Sequence, residues 1–299
     1  MADPIIVFDR QILKLRRDRA ATRSQDFNFL FAETAERLAD RLDDTVRTFP
    51  MVLDLGCHGG ELGQIIGTRG GIETLFQADL SERYARTARK NNGHNSLVAN
   101  EEYLPVAEGS LDAILSNLSL HWVNDLPGML VQARRALKPD GLFLACMFGG
   151  DTLRDLRDAL MTAEMEQEGG ASPRISPFVD IRDAGALLQR SGFALPVVDC
   201  DDIVIDYPDA LKLMRDLSGM GESNLTVKRR KRFTRRTTLA RAAAIYHDRH
   251  ARPDGRIHAR FQVMFLTGWA PADNQPKPLR PGSGKVSLVD FLGDVPKPH

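Results

Sequence analysis

Short apolar runs alternating with helical stretches constrain this chain more than any other feature. The runs are MVLDL (Met51–Leu55), TLFQADL (Thr74–Leu80), SLVA (Ser96–Ala99), LDAILSN (Leu111–Asn117) and GLFLACMF (Gly141–Phe148). ELGQIIG follows the first run, SERYARTARKN the second, and a helix from about Asp125 to Leu137 the fourth. Strands that alternate with helices of this length pair in parallel and are covered on both faces. Proline at Lys138-Pro139 forbids continuation of the last of these helices. Ser81 and Asp151 are placed to cap the helices that follow them.

Outside this core, apolar residues from Ser24 to Val46 recur at helical spacing (Phe27, Leu30, Phe31, Ala35, Leu38, Leu42). The stretch Asp183–Phe193 reads as a helix stopped at Gly192. Leu195–Tyr207 and Ile257–Ala270 read as two closing strands, with a helical insertion between them. The expectation is an α/β chain with a Rossmann-like, doubly wound sheet of seven strands and helices on both faces. N-terminal helices would occupy 1–47 and the main domain 48–270, with the insertion at about 207–250. A Pro/Gly-rich tail would take up 271–299.

Forty basic and forty acidic side chains cancel, so nothing global calls for nucleic acid or an anionic membrane. No apolar run approaches the roughly 20 residues of a membrane-spanning helix. Cys57, Cys146 and Cys200 are widely spaced and suggest a reducing compartment. The N-terminal order, apolar Ile5–Phe8 before basic KLRRDR, is the reverse of a secretory signal, and Asp3, Asp9 and Asp18 do not suit a transit peptide. The cytoplasm is the expected location.

The first strand runs into a glycine-rich turn, VLDLGCHGGELG (Val52–Gly63). In an open parallel sheet, ligands lie beyond the carboxyl ends of the strands where their order reverses. A dinucleotide fingerprint counted from Gly56 meets His58 and Glu61 where glycines belong, and no phosphate-loop lysine follows a strand. What remains is Asp54, Gly56 and Gly60, which resembles the first motif (D-x-G-x-G-x-G) of class I S-adenosylmethionine-dependent methyltransferases. Asp79 in FQADLS, the segment ANEEYLPVAEGSLDAILSNLSLHW and the entry ALKPDGLFL follow in that family's order. The resemblance implies S-adenosyl-L-methionine as cofactor. Its ligands would be Asp54, Gly56, His58, Gly60, Asp79, Leu80, Asn100, Glu101, Asn117 and His121, with Asp79 on the ribose hydroxyls and Asn100 facing adenine. His58 departs from the motif and reads either as a residue on a tolerant turn or as a catalytic imidazole.

A narrower resemblance rests on VFDRQILKLRRDRAA, LSLHWVNDLPG, MFGGDTL, EGGASPRISPF and GMGESN. These strings are similar to the group of the methyltransferase-like complex I assembly factor five and its bacterial relatives. That group's mitochondrial member hydroxylates an arginine of a complex I subunit, so the resemblance implies a protein substrate of that kind. More distantly, the chain is similar to the biotin-synthesis methyltransferase acting on a malonyl-acyl carrier protein. The alternatives are therefore an arginine hydroxylase or methyltransferase, an acyl-carrier-protein or small-molecule O-methyltransferase, and a non-catalytic assembly chaperone.

No histidine is followed two residues on by an acid, so the usual non-haem iron pattern is missing and no metal site is expected. His121, Asp151 and Asn224 are the candidates for catalysis, and Ser119 for the edge of the crevice. Trp122 reads as a packing residue. Arg16, Arg17 and Arg19 read either as partners of the cofactor carboxylate or as a solvated helix face. The run KRRKRFTRR lies in a stretch without acids from Ser223 to His247. It reads as a basic helix, 227–241, which either is solvated or faces an acidic partner.

Overall fold

The computed structural model describes residues 6–276, so most of the expected tail lies outside the described residues. The strands are β1 (Met51–Leu55), β2 (Thr74–Asp79), β3 (Asn95–Val98), β4 (Leu111–Asn117), β5 (Leu137–Phe148), β6 (Ala194–Tyr207) and β7 (Ile257–Trp269). They form one sheet in the order β3-β2-β1-β4-β5-β7-β6. The first five are parallel, while β7 runs antiparallel between β5 and β6. The order reverses between β1 and β4, which sets the crevice beyond Leu55 and Asn117.

The helices are α1 (Arg10–Ala20), α2 (Phe29–Asp43), α3 (Glu61–Ile66), α4 (Glu82–Asn92), α5 (Leu126–Ala136), α6 (Arg154–Glu168), α7 (Ile181–Arg190), α8 (Ala210–Met220) and α9 (Arg236–His250). Local chemistry sets several of their ends. Ser81 Oγ accepts the Tyr84 N–H to start α4, Asp125 accepts that of Gly128 at α5, and Asp209 that of Lys212 at α8. Two apolar layers sandwich the sheet. One joins α2, α6, α8 and α9 to Val52, Leu115, Leu144 and Phe261. The other joins α5 and α7 to Leu53, Ile114, Phe143 and Met264.

Three expectations need correction. The expected helix from Ser24 begins only at Phe29, because Ala21–Asp26 is a 3-10 turn kinked at Arg23. Asp151 does not cap α6: Leu153, in a left-handed conformation, precedes the helix, and no side chain caps it. The basic run is not a helix over 227–241. Residues 227–235 form a loop, and α9 begins at Arg236. Arg229 pairs with Asp9, and Arg230 with Glu168, so charges from distant segments hold this loop.

Candidate cofactor site

The turn after β1 is pinned beneath β2: the N–H groups of Gly56 and Cys57 both donate to the Ala78 carbonyl, at 2.7 and 3.0 Å. Gly56 has φ +78°, and a Cβ there would lie 2.1 Å from Ser119 Oγ, so only glycine fits. His58 itself adopts the left-handed conformation, φ +48°, which histidine tolerates better than most residues. Its ring stacks on Phe31 with centroids 4.2 Å apart and meets Tyr84 edge-on. Nε2 faces the Asn117 carbonyl at 3.2 Å and therefore carries the proton. Burial, with the charge of Arg17, holds this imidazole well below its usual pKa. These contacts make His58 a neutral packing residue.

At the end of β2, Asp79 is fully buried and accepts the N–H groups of Ser81 (2.7 Å) and His58 (3.2 Å). Glu101 lies beside it, also fully buried, and accepts from Ser119 Oγ at 2.8 Å. Between the two carboxylates sits Arg17 of α1, only 1% exposed. Its Nη1 is 2.8 Å from Glu101 and 3.4 Å from Asp79, and its Nη2 donates to Ser119 at 2.8 Å. Arg10 adds a second guanidinium, on Asn100 Oδ1 (2.7 Å), on Glu101 and on the Trp122 carbonyl. Burial pushes both carboxylates up, but the charges of Arg17 and Arg10 overcome it at Glu101 and hold that group at about 2. At the more distant Asp79 burial prevails, and the pKa stays above its usual value despite Arg17. Asp54, in β1, is raised to about 8 by burial, to which the charges of Glu61 and Asp79 add.

The other candidates divide. His121 and Trp122 converge on one acceptor that the sequence reading missed: Glu222 Oε2 lies 3.0 Å from both His121 Nε2 and Trp122 Nε1. Leu80 packs with Phe8, Leu13, Trp122 and Leu225 against α1. Asn117 turns to α2, accepting from Thr34 Oγ1 and donating to the Phe31 carbonyl, so its amide is committed to the core. Asn224 ties two loops, donating to the Pro173 carbonyl and accepting from Thr226. Asp151 is half-exposed, and its backbone N–H donates to Gln262 Oε1. The structure thus gathers Gly56, His58, Asp79, Glu101 and Ser119 at the crevice, with Asn100 joined through Arg10. Asn117, Asn224 and Asp151 are spent on local structure. A cavity of about 210 Å³ opens beyond Trp122, lined by Leu156, Leu160, Met214 and Leu217 with Glu222 and Asn224.

This donor set suits a nucleoside sulfonium. One carboxylate, Asp79, ends β2 and a second, Glu101, stands in the turn after β3, where sugar hydroxyls need acceptors; a bare glycine turn lies beside them, and the Arg17 cation among them leaves its Nε without a partner. The sheet order and this crevice define the class I methyltransferase fold. A methyltransferase-domain family model matches residues 53–145. The arginine-hydroxylase NDUFAF5 of Danio rerio, named as mitochondrial, is 42% identical over 288 residues, covering 95% of this chain and 89% of that protein. The malonyl-[acyl-carrier protein] O-methyltransferase of Laribacter hongkongensis is 32% identical over 300 residues, covering 96% and 97%. Among solved structures, phosphoethanolamine N-methyltransferase 2 of Haemonchus contortus, in complex with S-adenosyl-L-methionine, superposes with a TM-score of 0.53 at 15% identity, over 87% of this chain and 60% of that one. The chain belongs to the NDUFAF5 family of methyltransferase-fold enzymes.

Proposed function

We propose that the chain binds S-adenosylmethionine in the crevice and modifies a protein side chain, as an arginine hydroxylase or methyltransferase, during assembly of respiratory complex I. The observation that carries the cofactor half is the buried carboxylate pair Asp79–Glu101 at the switch point of the sheet. The substrate half rests on the near full-length match to relatives named arginine-hydroxylase.

Asp79 would accept the ribose hydroxyls and Asn100 and Glu101 would face the base, while Gly56, His58 and Gly60 present the turn's backbone and Leu80 an apolar wall. Bound S-adenosylmethionine supplies an electrophilic methyl group. The chain's own part is to orient and to exclude water: Glu222 fixes Trp122, one wall of the cavity where a target side chain would lie, together with the neighbouring His121 ring. Lys231, Arg232, Arg235 and Arg236 are exposed in and beside the basic loop and would meet an acidic partner. We further propose the division into 1–47, 48–270 and 271–299. The cytoplasm is the proposed compartment, since the three cysteines are unpaired. Among the described residues no helix is long and apolar enough to cross a membrane. The hydroxylase relatives are named as mitochondrial, so fractionation of the native host decides the compartment.

Two other readings each have an observation in their favour. The match to malonyl-acyl-carrier-protein methyltransferases favours a carrier-protein substrate, and the crevice filled by Arg17 favours a non-catalytic chaperone. Labelled S-adenosylmethionine, lysate and mass spectrometry separate the three. An oxygen-dependent gain of one oxygen on a target arginine supports hydroxylation, and a CH₂ gain on arginine supports methylation of that side chain. A CH₂ gain on the malonyl group of a carrier protein supports the carrier-protein reading, and a stable pull-down of a complex I subunit without any adduct supports the chaperone. Asp79→Asn should lower cofactor affinity tenfold or more, at about 1.5–3 kcal/mol per charge-assisted bond. Unchanged affinity by calorimetry would overturn the ribose assignment.

A further inference from the structure

The first helix carries an arginine where a helix surface should carry a solvated one. Leu13, Arg17 and Ala20 share the buried face of α1, so Arg17 stands in the middle of an apolar stripe and points into the crevice. There α1 takes the acceptors assigned above to the cofactor: Arg17 bonds Glu101 and Asp79, and Arg10 bonds Asn100 and Glu101. Ser119 Oγ, against the glycine turn, is taken as well.

The fit of this occupant is partial. Its two contacts to Asp79 are 3.4 and 3.5 Å, longer than the 2.7–2.9 Å typical of charge-assisted bonds, and Arg17 Nε has no partner. Buried carboxylates are costly unless a cation or hydrogen-bond donors compensate them, and here Arg17 with Arg10 supplies both. The rest of α1 is held by Leu13 among Phe8, Trp122 and Leu225, by Ala20 against Tyr84, by Asp18, which accepts from Ser81 Oγ at 2.6 Å, and by contacts at its N-terminal end and outer face. Asp9 N–H donates to the Leu225 carbonyl, Asn124 accepts from Val7 and Phe8, and Arg16 donates to the carbonyls of Ser223 and Asn224. Of these contacts only the Asp18–Ser81 bond adjoins the carboxylates, through the Ser81 N–H on Asp79, so the grip of α1 on Asp79 and Glu101 themselves is that of Arg17 and Arg10.

We propose that Arg17, assisted by Arg10, is a built-in counter-ion that occupies the cofactor cradle and that S-adenosylmethionine must displace, so that cofactor entry withdraws α1 from the crevice. The proposal rests on the cofactor reading above and adds a competition to it. The ribose hydroxyls and the adenine amino group, present in S-adenosylmethionine and S-adenosylhomocysteine alike, replace the guanidinium as donors to Asp79 and Glu101. The affinity measured for the cofactor is then its intrinsic affinity multiplied by the fraction of molecules with α1 withdrawn.

The test uses the full chain and S-adenosylhomocysteine, with calorimetry and amide hydrogen exchange. Arg17→Met removes the competitor and should tighten binding, about tenfold if α1 is closed in nine molecules of ten. A residue that contacted the cofactor would weaken binding when removed. In the unsubstituted protein, S-adenosylhomocysteine should speed exchange of the amides of Leu13–Ala20. Weaker or unchanged binding by Arg17→Met, or slower or unchanged exchange in α1 when ligand is bound, overturns the proposal while leaving the cofactor reading intact. If Arg17→Met does not fold, Arg10→Met together with exchange in the unsubstituted protein gives the same decision. Failure of both folded proteins to bind S-adenosylhomocysteine overturns the cofactor reading and this proposal together.

Discussion

His121 Nε2 lies 3.0 Å from the Oε2 atom of Glu222, a residue 101 positions further along the chain. The same oxygen takes the Trp122 indole N–H, so one carboxylate from the loop after α8 fixes two adjacent rings after β4. Glu222→Ala would leave both buried donors without an acceptor. The expected loss of unfolding free energy is about 1–3 kcal/mol for each unmade bond, less than additively. Urea titration checks this, with a red shift of Trp122 emission as loosening admits water. Glu222→Gln should recover part of the loss.

Asp54 and Glu61 give the protein a dependence on pH whose sign is set. Burial raises them to about 8 and about 7, so the folded state holds protons that the unfolded chain releases at neutral pH. The stability this contributes is full below about pH 4, where the unfolded groups are also protonated, and is lost as pH rises through 7 to 8. Glu101, held at about 2, acts oppositely: its contribution is present above the usual glutamate range and disappears on acidification towards pH 2. Asp54→Asn should flatten the fall between pH 5 and about 8, read as denaturation midpoints across that range. An unchanged slope would remove Asp54 from the account.

Two glycines separate backbone strain from crowding. Gly56 and Gly93 have nearly the same φ, +78° and +75°, but a Cβ at Gly93 meets nothing within 4 Å, whereas at Gly56 it strikes Ser119. Gly93→Ala should cost about 1 kcal/mol, the penalty of the left-handed conformation alone. Gly56→Ala should cost about 1–3 kcal/mol more, because Ser119 and its partners Arg17 and Glu101 must shift. Thermal denaturation of the two variants gives the difference directly.

Glu164, on α6, accepts the Ser172 N–H and hydroxyl and pairs with Arg174, while Glu168 pairs with Arg230. Glu164→Ala should therefore loosen the segment 172–176, cost about 1–3 kcal/mol and raise the rate of tryptic cleavage at Arg174. A cleavage rate equal to that of the unsubstituted protein would show that the segment is held by other contacts.

The parallel half of the fold was legible because strands buried on both faces are almost wholly apolar: GLFLACMF is so throughout, and MVLDL is interrupted only by the buried Asp54. The glycine turn and Asp79 were legible because backbone approach and strand-end carboxylates leave a local pattern. Arg17 was not resolved by the local sequence, since a lone arginine on a charged helix looks solvated. Its signal was position: it lies at i+4 from Leu13 and i−3 from Ala20, on the face that α1 buries. Glu222 gave no signal, because a loop residue has no period and its partners are a hundred residues away. The basic run misled for a related reason. Its compensating acids, Asp9, Glu164 and Glu168, lie far off in sequence, so it read as an unpaired helix face.

Among the described residues, the last strand is also an interior one. Because β7 bonds β5 on one side and β6 on the other, β6 has no neighbour in the sheet until everything past Arg256 has been made. During synthesis β1 to β5 can zip together as they emerge, while β6 waits as an unpaired ribbon with the whole of α8 and α9 still to come. An arrested or truncated chain would therefore expose two open edges at once, that of β5 and that of β6, each ready to recruit a strand from another molecule.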